Sequence, residues 1–467
     1  MTTTKDKGTL NRYLIDGNLP LGLWRFALPF MFAYLLQALY GAVDVFIVGR
    51  YCDAAAISAV ATGAQLLMAI TGLILGFAGG GTALIAYTIG ADDPKGTAHA
   101  MGTCSTLFAL AALVFTPVCV FGTNWLVDVL QTPEEALSGA RQYVFAISCG
   151  IPFIIGYNVV GAIYRGFGDS ITPTIFVAVS CVVNVFGDLL LVAHYRLGPL
   201  GAALATDAAM ALSFFCALVY MRKKRFPFEF HRTHFLPERS ATNKILSVGV
   251  PLALQDAFTS FSFLIIFAIV NMMGVMASAG MGVAERVIGF MLLPPIAFSN
   301  AVTTATAQNY GAKKRRRAFM SFVWGMTFSG VFGFVFLTLC QICPTQISSI
   351  FTSDQEVALN SGRYLRSFAI DCVLVAFIFN INGYFCGLGK SMVVFVHSAI
   401  AAAFARVPLS YVFSRIPGAT LFNVGFAAPL ASVVSVVVCV CYLFWLKAMG
   451  KEKSPNPEDS DSSSITV

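Results

Sequence analysis

The sequence predicts an all-α polytopic membrane protein, with twelve transmembrane helices in two parallel-repeat six-helix lobes around a central cavity. Three observations carry this. Of 467 residues, 57% are apolar and only 11% charged, whereas soluble domains carry about 25% charge. Apolar stretches bounded by charge or turn residues recur twelve times, each near the about 20 residues that a helix needs to cross hydrocarbon. Slid back over the first half at a nearly constant offset, the second half of the chain repeats it in four ordered blocks. A transmembrane barrel is excluded, because 54–91 and 318–353 run without one charge where barrel strands would alternate.

In chain order, the spans are expected to begin near Leu21, Ile57, Ala98, Ala136, Ile171, Pro199, Asn243, Ala279, Ala318, Val357, Met392 and Phe422. The expected organisation is a cytoplasmic leader over 1–20, an N-terminal lobe over 21–221, a basic cytoplasmic linker over 222–242, a C-terminal lobe over 243–447 and a disordered cytoplasmic tail over 448–467. The leader lacks the apolar core of a cleavable signal peptide, and the tail has no apolar face. The net charge of +7 reads as topology rather than as a nucleic-acid footprint. With both termini and every second loop inside, 21 of the 30 Lys and Arg fall in the cytoplasm and only Arg50, Arg196 and Arg415 outside. A multi-pass protein of the cell's inner (cytoplasmic) membrane is the expected placement.

The repeat pairs Pro29 with Pro251, Gly90-Ala91 with Gly311-Ala312, Tyr143 with Tyr364, and Gly166, Gly168 and Ser170 with Gly387, Gly389 and Ser391. Six spans per repeat is an even number, so both lobes insert with the same orientation about an axis along the membrane normal. Alternating-access carriers share this plan, rocking one lobe against the other around a midplane site. Glycines 72, 76 and 80 in the second span read as close helix packing.

Other motifs carry no chemistry. The twelve cysteines lie mostly in hydrophobic segments, where a free thiol packs as a small apolar group, and the single Cys340-x-x-Cys343 has no second pair with which to hold zinc. Gly387-Leu-Gly389-Lys390-Ser391 resembles a phosphate loop, but Tyr384 stands where the first glycine is needed, so no ATP site is expected. The five histidines make no metal-ligand pattern.

Intramembrane acids carry the most information. Asp44, Asp188, Asp207, Asp256, Glu285 and Asp371 fall within spans, and six lipid-facing carboxylates would cost roughly 15 to 20 kcal/mol, more than a protein's marginal stability. They must face the interior or water, where they would exchange protons near physiological pH or, beside oxygen donors, hold a hard cation. Gln37, Tyr40, Gly41 and Asp44 share one face of the first span, with Pro29 upstream as a bend. Asn184 and Asp188 are one turn apart on the fifth span, and the sixth adds Thr206 and Asp207. Gln255, Asp256, Glu285, Asp371 and Asn382 supply polar positions in the other lobe, where Asp371 and Asn382 share a face. Against these acids stand only Arg25, Arg286 and Arg406 as intramembrane Arg candidates. A carboxylate-lined, aromatic-walled cavity suits amphipathic cations through charge and cation–π contact.

From about Leu19 to Lys447 the chain resembles the multidrug and toxic compound extrusion (MATE) family of the wider flippase-exporter superfamily, in its bacterial DinF-like and staphylococcal-type branch. The resemblance is carried by "ALPFMFAYLLQALYGAVDVFIVGR" in the first span, "GAIYRGFGDSITPT" after the fourth, "VVNVFGDLLL" and "GPLGAALAT" through the fifth and sixth, and "AQNYGA" after the eighth. It implies two lobes forming a V and export of organic cations driven by inward flow of H⁺ or Na⁺. On the DinF-type pattern the ion-coupling cluster would be Asp44, Asn184, Asp188 and Thr206, with Pro29 as hinge. Members of the NorM type emphasise acids of the C-terminal lobe, to which Asp371 is the better match and Asp256 and Glu285 are looser ones.

The function expected is a secondary antiporter for multidrug efflux, with Asp207 joining the ion-coupling residues. Gln37, Tyr40, Gln255, Asp256, Glu285, Asp371 and Asn382 would line the substrate cavity. It would need no cofactor beyond H⁺ or Na⁺, no ATP and no metal except Na⁺ at the coupling residues, and would act as a monomer among membrane lipids on small organic cations. Two alternatives stand beside it: a lipid-linked oligosaccharide or lipid flippase of the same superfamily, which would show cationic cavity residues, and a polytopic membrane enzyme, for which no catalytic cluster is evident.

Overall fold

The computed structural model describes residues 12–130, 132–223 and 229–452. Residues 1–11 of the expected leader, 224–228 of the linker and 453–467 of the tail lie outside the described residues. All regular structure among the described residues is helical. Among the described residues, twelve helical segments are long and apolar enough to cross a membrane: Leu19–Tyr51, Ala54–Gly90, Pro94–Phe121, Glu134–Gly166, Ile171–His194, Gly198–Lys223, Arg239–Asn271, Val275–Gly311, Arg315–Ile342, Gln355–Gly387, Ser391–Ser414 and Leu421–Leu446. They are numbered below from first to twelfth in this order. Helix starts follow the local sequence: Asn18, Asp53, Asp93 and Asp354 each cap a span by accepting a backbone N–H of its first turn. The eighth span is interrupted at Leu292, just before Pro294 and Pro295, whose rings cannot continue the helical ladder undisturbed.

The chain divides into two compact units, Met1–Ala257 with Ala307–Ala312, and Phe258–Thr306 with Lys313–Val467. In the first, Ile74, Ile85, Ile151, Ile155 and Tyr164 form the centre of a buried apolar core. In the second, Ile266, Val270, Met281, Tyr364 and Phe368 do so. The fourth and tenth spans, at equivalent places in the two repeats, are the most enclosed, with 72% and 67% of their apolar windows buried. Large apolar side chains such as Phe46, Phe121 and Phe404 stand outward, as a lipid-facing surface requires.

The repeat is visible in backbone geometry. Gly168 and Gly389 adopt φ +80° and +73°, a region costly for any residue with a Cβ. At both sites the same turn closes the preceding helix, with Gly168 N–H donating to Arg165 O and Gly389 N–H to Cys386 O, each at 2.9 Å. Tyr143 and Tyr364 are both buried.

Small residues set helix spacing in the first unit. A Cβ on Gly76 would lie 2.6 Å from Ala253 N, and one on Gly80 would collide with Ile245 O, so both positions let the seventh span's backbone approach directly. Gly72, expected to join this stripe, has nothing within 4 Å of where a Cβ would stand. Packing uses two of the three glycines, because two-turn spacing along a straight helix outruns a contact with a crossing partner.

Outside the spans, Leu14 and Ile15 are buried in the first unit, and Tyr13 Oη donates to Gly168 O at 2.6 Å. A short helical turn at Arg232–Phe235 docks on the third span, where Thr106 Oγ1 donates to Phe235 O at 2.6 Å and Glu238 N–H to Thr103 Oγ1 at 3.3 Å. His234 is ringed by His99 (ring centroids 4.6 Å) and His231 (5.7 Å), with Glu238 beside His99 and Glu229 beside His231. His231 N–H donates to His234 Nδ1 at 2.9 Å, which fixes that nitrogen as an unprotonated acceptor. Partial burial, followed by the neighbouring His99 and His231 rings, holds the His234 pKa below its ordinary 6.5.

Two outcomes are expected. Gly76→Leu overpacks the second and seventh spans and costs about 1–3 kcal/mol, lowering the thermal midpoint in detergent, whereas Gly72→Ala leaves it unchanged. Because His234 is harder to protonate in the docked turn than in a free chain, docking is strongest above about pH 6.5 and weakens as pH falls below it. Amide exchange at 231–238 should therefore be faster at pH 5.5 than at pH 7.5, and His234→Gln should remove most of that difference.

Candidate functional site

The first, fifth and sixth spans bring four of the sequence-predicted residues together inside the first unit. Asp44, Asn184, Asp188 and Thr206 are 8%, 1%, 0% and 2% exposed. The Asp188 and Asn184 side chains lie beside the Asp44 carboxyl, and Asn184 Nδ2 donates to Thr206 Oγ1 at 3.2 Å. The helical one-turn spacing of Asn184 and Asp188 accounts for their shared face. Directly after Asp188 the fifth span widens into a π-helical segment, Leu189–His194, a distortion frequent at functional sites. Asp44 Oδ1, both Asp188 oxygens and Asn184 Oδ1 are buried with no hydrogen-bond donor among the described residues. Two carboxylates facing each other in a dry interior repel when both are ionised, and a single added positive charge relieves that repulsion. The oxygens left without a donor are the ligand set of a proton or a hard cation. Among the described residues no group of three His, Cys, Asp or Glu side chains is placed to hold a metal ion.

Next to this group lies a cavity of about 110 Å³ within the first unit. Gln37, Tyr40 and Thr206 line it, as do Phe30, Tyr34, Tyr157, Asn158, Arg165 and Thr174. Pro29 lies within the first-span helix, and its carbonyl accepts a hydrogen bond from Thr174 Oγ1 at 2.9 Å, a contact that ties the first span to the start of the fifth.

Other predicted residues lie apart from this group. Asp207, one residue after Thr206, turns toward the fourth span, with its carboxylate against Gly150. Gln255 and Asp256 belong to the first unit on the seventh span and are partly buried. Glu285 is partly buried in the second unit, while its neighbour Arg286 is exposed. Asp371 and Asn382 are both buried there on the tenth span. Asn382 Oδ1 lies 2.8 Å from His397 Nε2, and Asp371 lies beside Ser432 and within electrostatic reach of Arg406, whose guanidinium stacks over Phe263 at 5.3 Å.

The repeat copies the scaffold and leaves the polar residues different. The register that sets Pro251 on Pro29 sets Ile266 on Asp44 and Ser410 on Asp188. The register that sets Tyr364 on Tyr143 places Leu409 on Asp188 instead, and Asp371 on Gly150.

One residue escaped the sequence reading. Residues 161–166 of the motif expected to follow the fourth span instead form the end of that span, so Arg165 is helical, 8% exposed and lines the cavity. It is an additional intramembrane arginine beside Arg25, Arg286 and Arg406, and of these Arg25 and Arg286 are exposed. The available signal was that apolar periodicity continues through Ile163 and Tyr164 to the glycine at 166.

These features define an integral membrane protein of twelve spans built by internal duplication. The MatE family model matches residues 29–190 and again 251–412, the second match beginning and ending in the register that sets Pro251 on Pro29, so the chain belongs to the MatE family of transporters and carries its unit twice. Among curated relatives, it is 26% identical over 400 residues to the probable multidrug resistance protein YpnP of Bacillus subtilis, covering 85% of this chain and 89% of that one. The multidrug export protein MepA of Staphylococcus haemolyticus is 23% identical over 416 residues, covering 87% and 90%. Among solved structures, a MOP superfamily transporter from Pyrococcus furiosus superposes with a TM-score of 0.89 at 21% identity, covering 95% of this chain and 100% of that one. An outward-facing MATE family transporter does so with a TM-score of 0.88 at 21% identity. The twelve-helix fold class and the membership of a transporter family, rather than of an enzyme family, are thereby established.

Replacing Thr206 by Val removes the oxygen that accepts from Asn184. A net hydrogen bond of this kind contributes about 1 kcal/mol, so Thr206→Val should unfold at measurably lower denaturant in detergent, whereas Thr206→Ser should recover most of the loss.

Proposed function

We propose that the chain is a secondary antiporter that exports amphipathic organic cations, driven by entry of H⁺ or Na⁺, from a cytoplasmic membrane with both termini inside. The observation that carries this reading is the buried pair Asp44 and Asp188, with Asn184 and Thr206 beside it, in a chain of the MatE family. The names of relatives, multidrug resistance protein and multidrug export protein, support export of drugs as the class of activity. The pair attracts one positive charge, and two kinds compete for it: the coupling ion, and the cationic group of a substrate in the adjoining cavity lined by Tyr34, Tyr40 and Tyr157. Ion loading from outside neutralises the pair, weakens the hold on the substrate and favours its release outward. A substrate arriving from inside displaces the ion and resets the cycle. Exchange follows because the two cannot be held at full strength together. Asp207, Gln255, Asp256, Glu285, Asp371 and Asn382 keep a secondary place in this reading, since none lies within the carboxyl group formed by Asp44 and Asp188.

The test is uptake of a fluorescent organic cation into inside-out vesicles under a proton gradient and a sodium gradient imposed separately. Gradient-dependent uptake is expected for the wild type, and the effective gradient names the ion. Asp44→Asn should reduce it more than tenfold at equal expression, and normal coupled uptake by that variant would overturn the proposal.

A further inference from the structure

The cavity in the first unit has a cationic end that the antiport cycle above does not use. Arg165 lines it and is 8% exposed, and among the described residues its guanidinium makes no ion pair and no hydrogen bond. It stacks over Phe30, 5.6 Å from the ring centroid, and lies within electrostatic reach of Tyr34, Tyr157 and Cys104. A buried guanidinium presents five N–H donors in a planar fork, and leaving them without an acceptor is costly. Neighbouring groups do not answer it. Asn158 Nδ2 is spent on Ile154 O, and Thr174 Oγ1 on Pro29 O and Ser170 O. Tyr34 adds a further hydroxyl to the wall.

Arg165 lines the cavity, whereas Asp44 lies outside its lining, beyond Tyr40 on the first span. The guanidinium sits over Phe30, and Asp44 follows fourteen residues later on the same span, roughly 20 Å away at 1.5 Å per residue. Tyr34, Gln37 and Tyr40 line the way between them.

We propose that the Arg165 end of this cavity is an anion subsite that receives the carboxylate of an amphipathic substrate, so that the preferred ligands are carboxylate-bearing organic cations rather than simple ones. A carboxylate matches the guanidinium fork in two parallel hydrogen bonds. One arginine neutralises one negative charge, so a monoanion fits where a phosphomonoester dianion would leave excess charge in a dry site. The aromatic ring that bears the carboxylate, of a size that about 110 Å³ admits, lies against Phe30, Tyr34 and Tyr157, and the cationic part extends from the cavity toward the carboxyl pair. This inference rests on the reading that the cavity admits substrate.

The experiment compares two dyes that share one cationic xanthene and differ in one group: rhodamine 6G, an ethyl ester, and rhodamine 19, its free acid. Binding to the purified full chain in nanodiscs is followed by fluorescence polarisation at pH 7.5, and uptake into inside-out vesicles is followed in parallel. The wild type is expected to bind rhodamine 19 about tenfold more tightly than rhodamine 6G. Arg165→Gln should bring that ratio to about one, and Arg165→Lys should retain part of it. Benzoate should displace rhodamine 19 from the wild type much more readily than rhodamine 6G, a readout that holds if the Arg165 variants fail to fold. Equal affinities in the wild type, or an unchanged ratio in Arg165→Gln, would overturn the subsite and leave the cation antiporter standing. Preference for rhodamine 19 without gradient-driven uptake of either dye would keep the subsite and overturn antiport, and binding of neither dye would overturn both.

Discussion

Hydrocarbon offers no hydrogen-bond partner, and most of this chain follows from that. Every backbone N–H and C=O within a span must be satisfied inside the segment, so each apolar run becomes a helix, and twelve of them do. The same constraint acts on side chains. An acid on a lipid-facing surface would be expelled, so Asp44 and Asp188 are found buried among Asn184, Thr206 and the aromatic lining of the first unit. Enclosure then turns a structural problem into a capacity for chemistry, because two facing carboxylates in a low dielectric make a strong demand for one positive charge.

Duplication supplied the framework and divergence supplied the site. Both repeats carry a proline in their first span, a buried tyrosine in their fourth, and a left-handed glycine turn before their fifth. These are backbone and packing features, which any copy of the fold needs. The charged residues are free of that requirement and differ: the place of Asp44 holds Ile266, and the place of Asp371 holds Gly150, against which Asp207 packs. Two lobes of one architecture thus present different interiors, and the proposed coupling group belongs to one of them.

Arg165 changes the character of the cavity. Judged by the neighbouring Asp44 and Asp188, the interior favours cations, but the cavity itself is lined by aromatic rings and one buried guanidinium. The proposed subsite would recognise the carboxylate of a ligand separately from its cation, which net charge alone does not describe.

Composition and hydropathy determined the membrane, the helices and their number, because a run of about 20 apolar residues is a property of the chain and the bilayer together. The nearly constant offset between paired blocks, from Pro29 and Pro251 to Ser170 and Ser391, determined the duplication, and one-turn spacing placed Asn184 beside Asp188. Which acids meet across different helices was beyond such local rules. Asp44 and Asp188 belong to the first and fifth spans yet lie side by side in space, while adjacent Thr206 and Asp207 face different neighbours. Helix rotation and crossing decide that, and they depend on small-residue contacts such as Gly76 and Gly80 against the seventh span, where Gly72 takes no part. Arg165 was only partly legible, since apolar periodicity running through Ile163 and Tyr164 to Gly166 allows a longer helix without requiring one. A basic residue at the end of a span reads equally as a loop charge or as a buried one, and only the packing around the last helical turn separates the two.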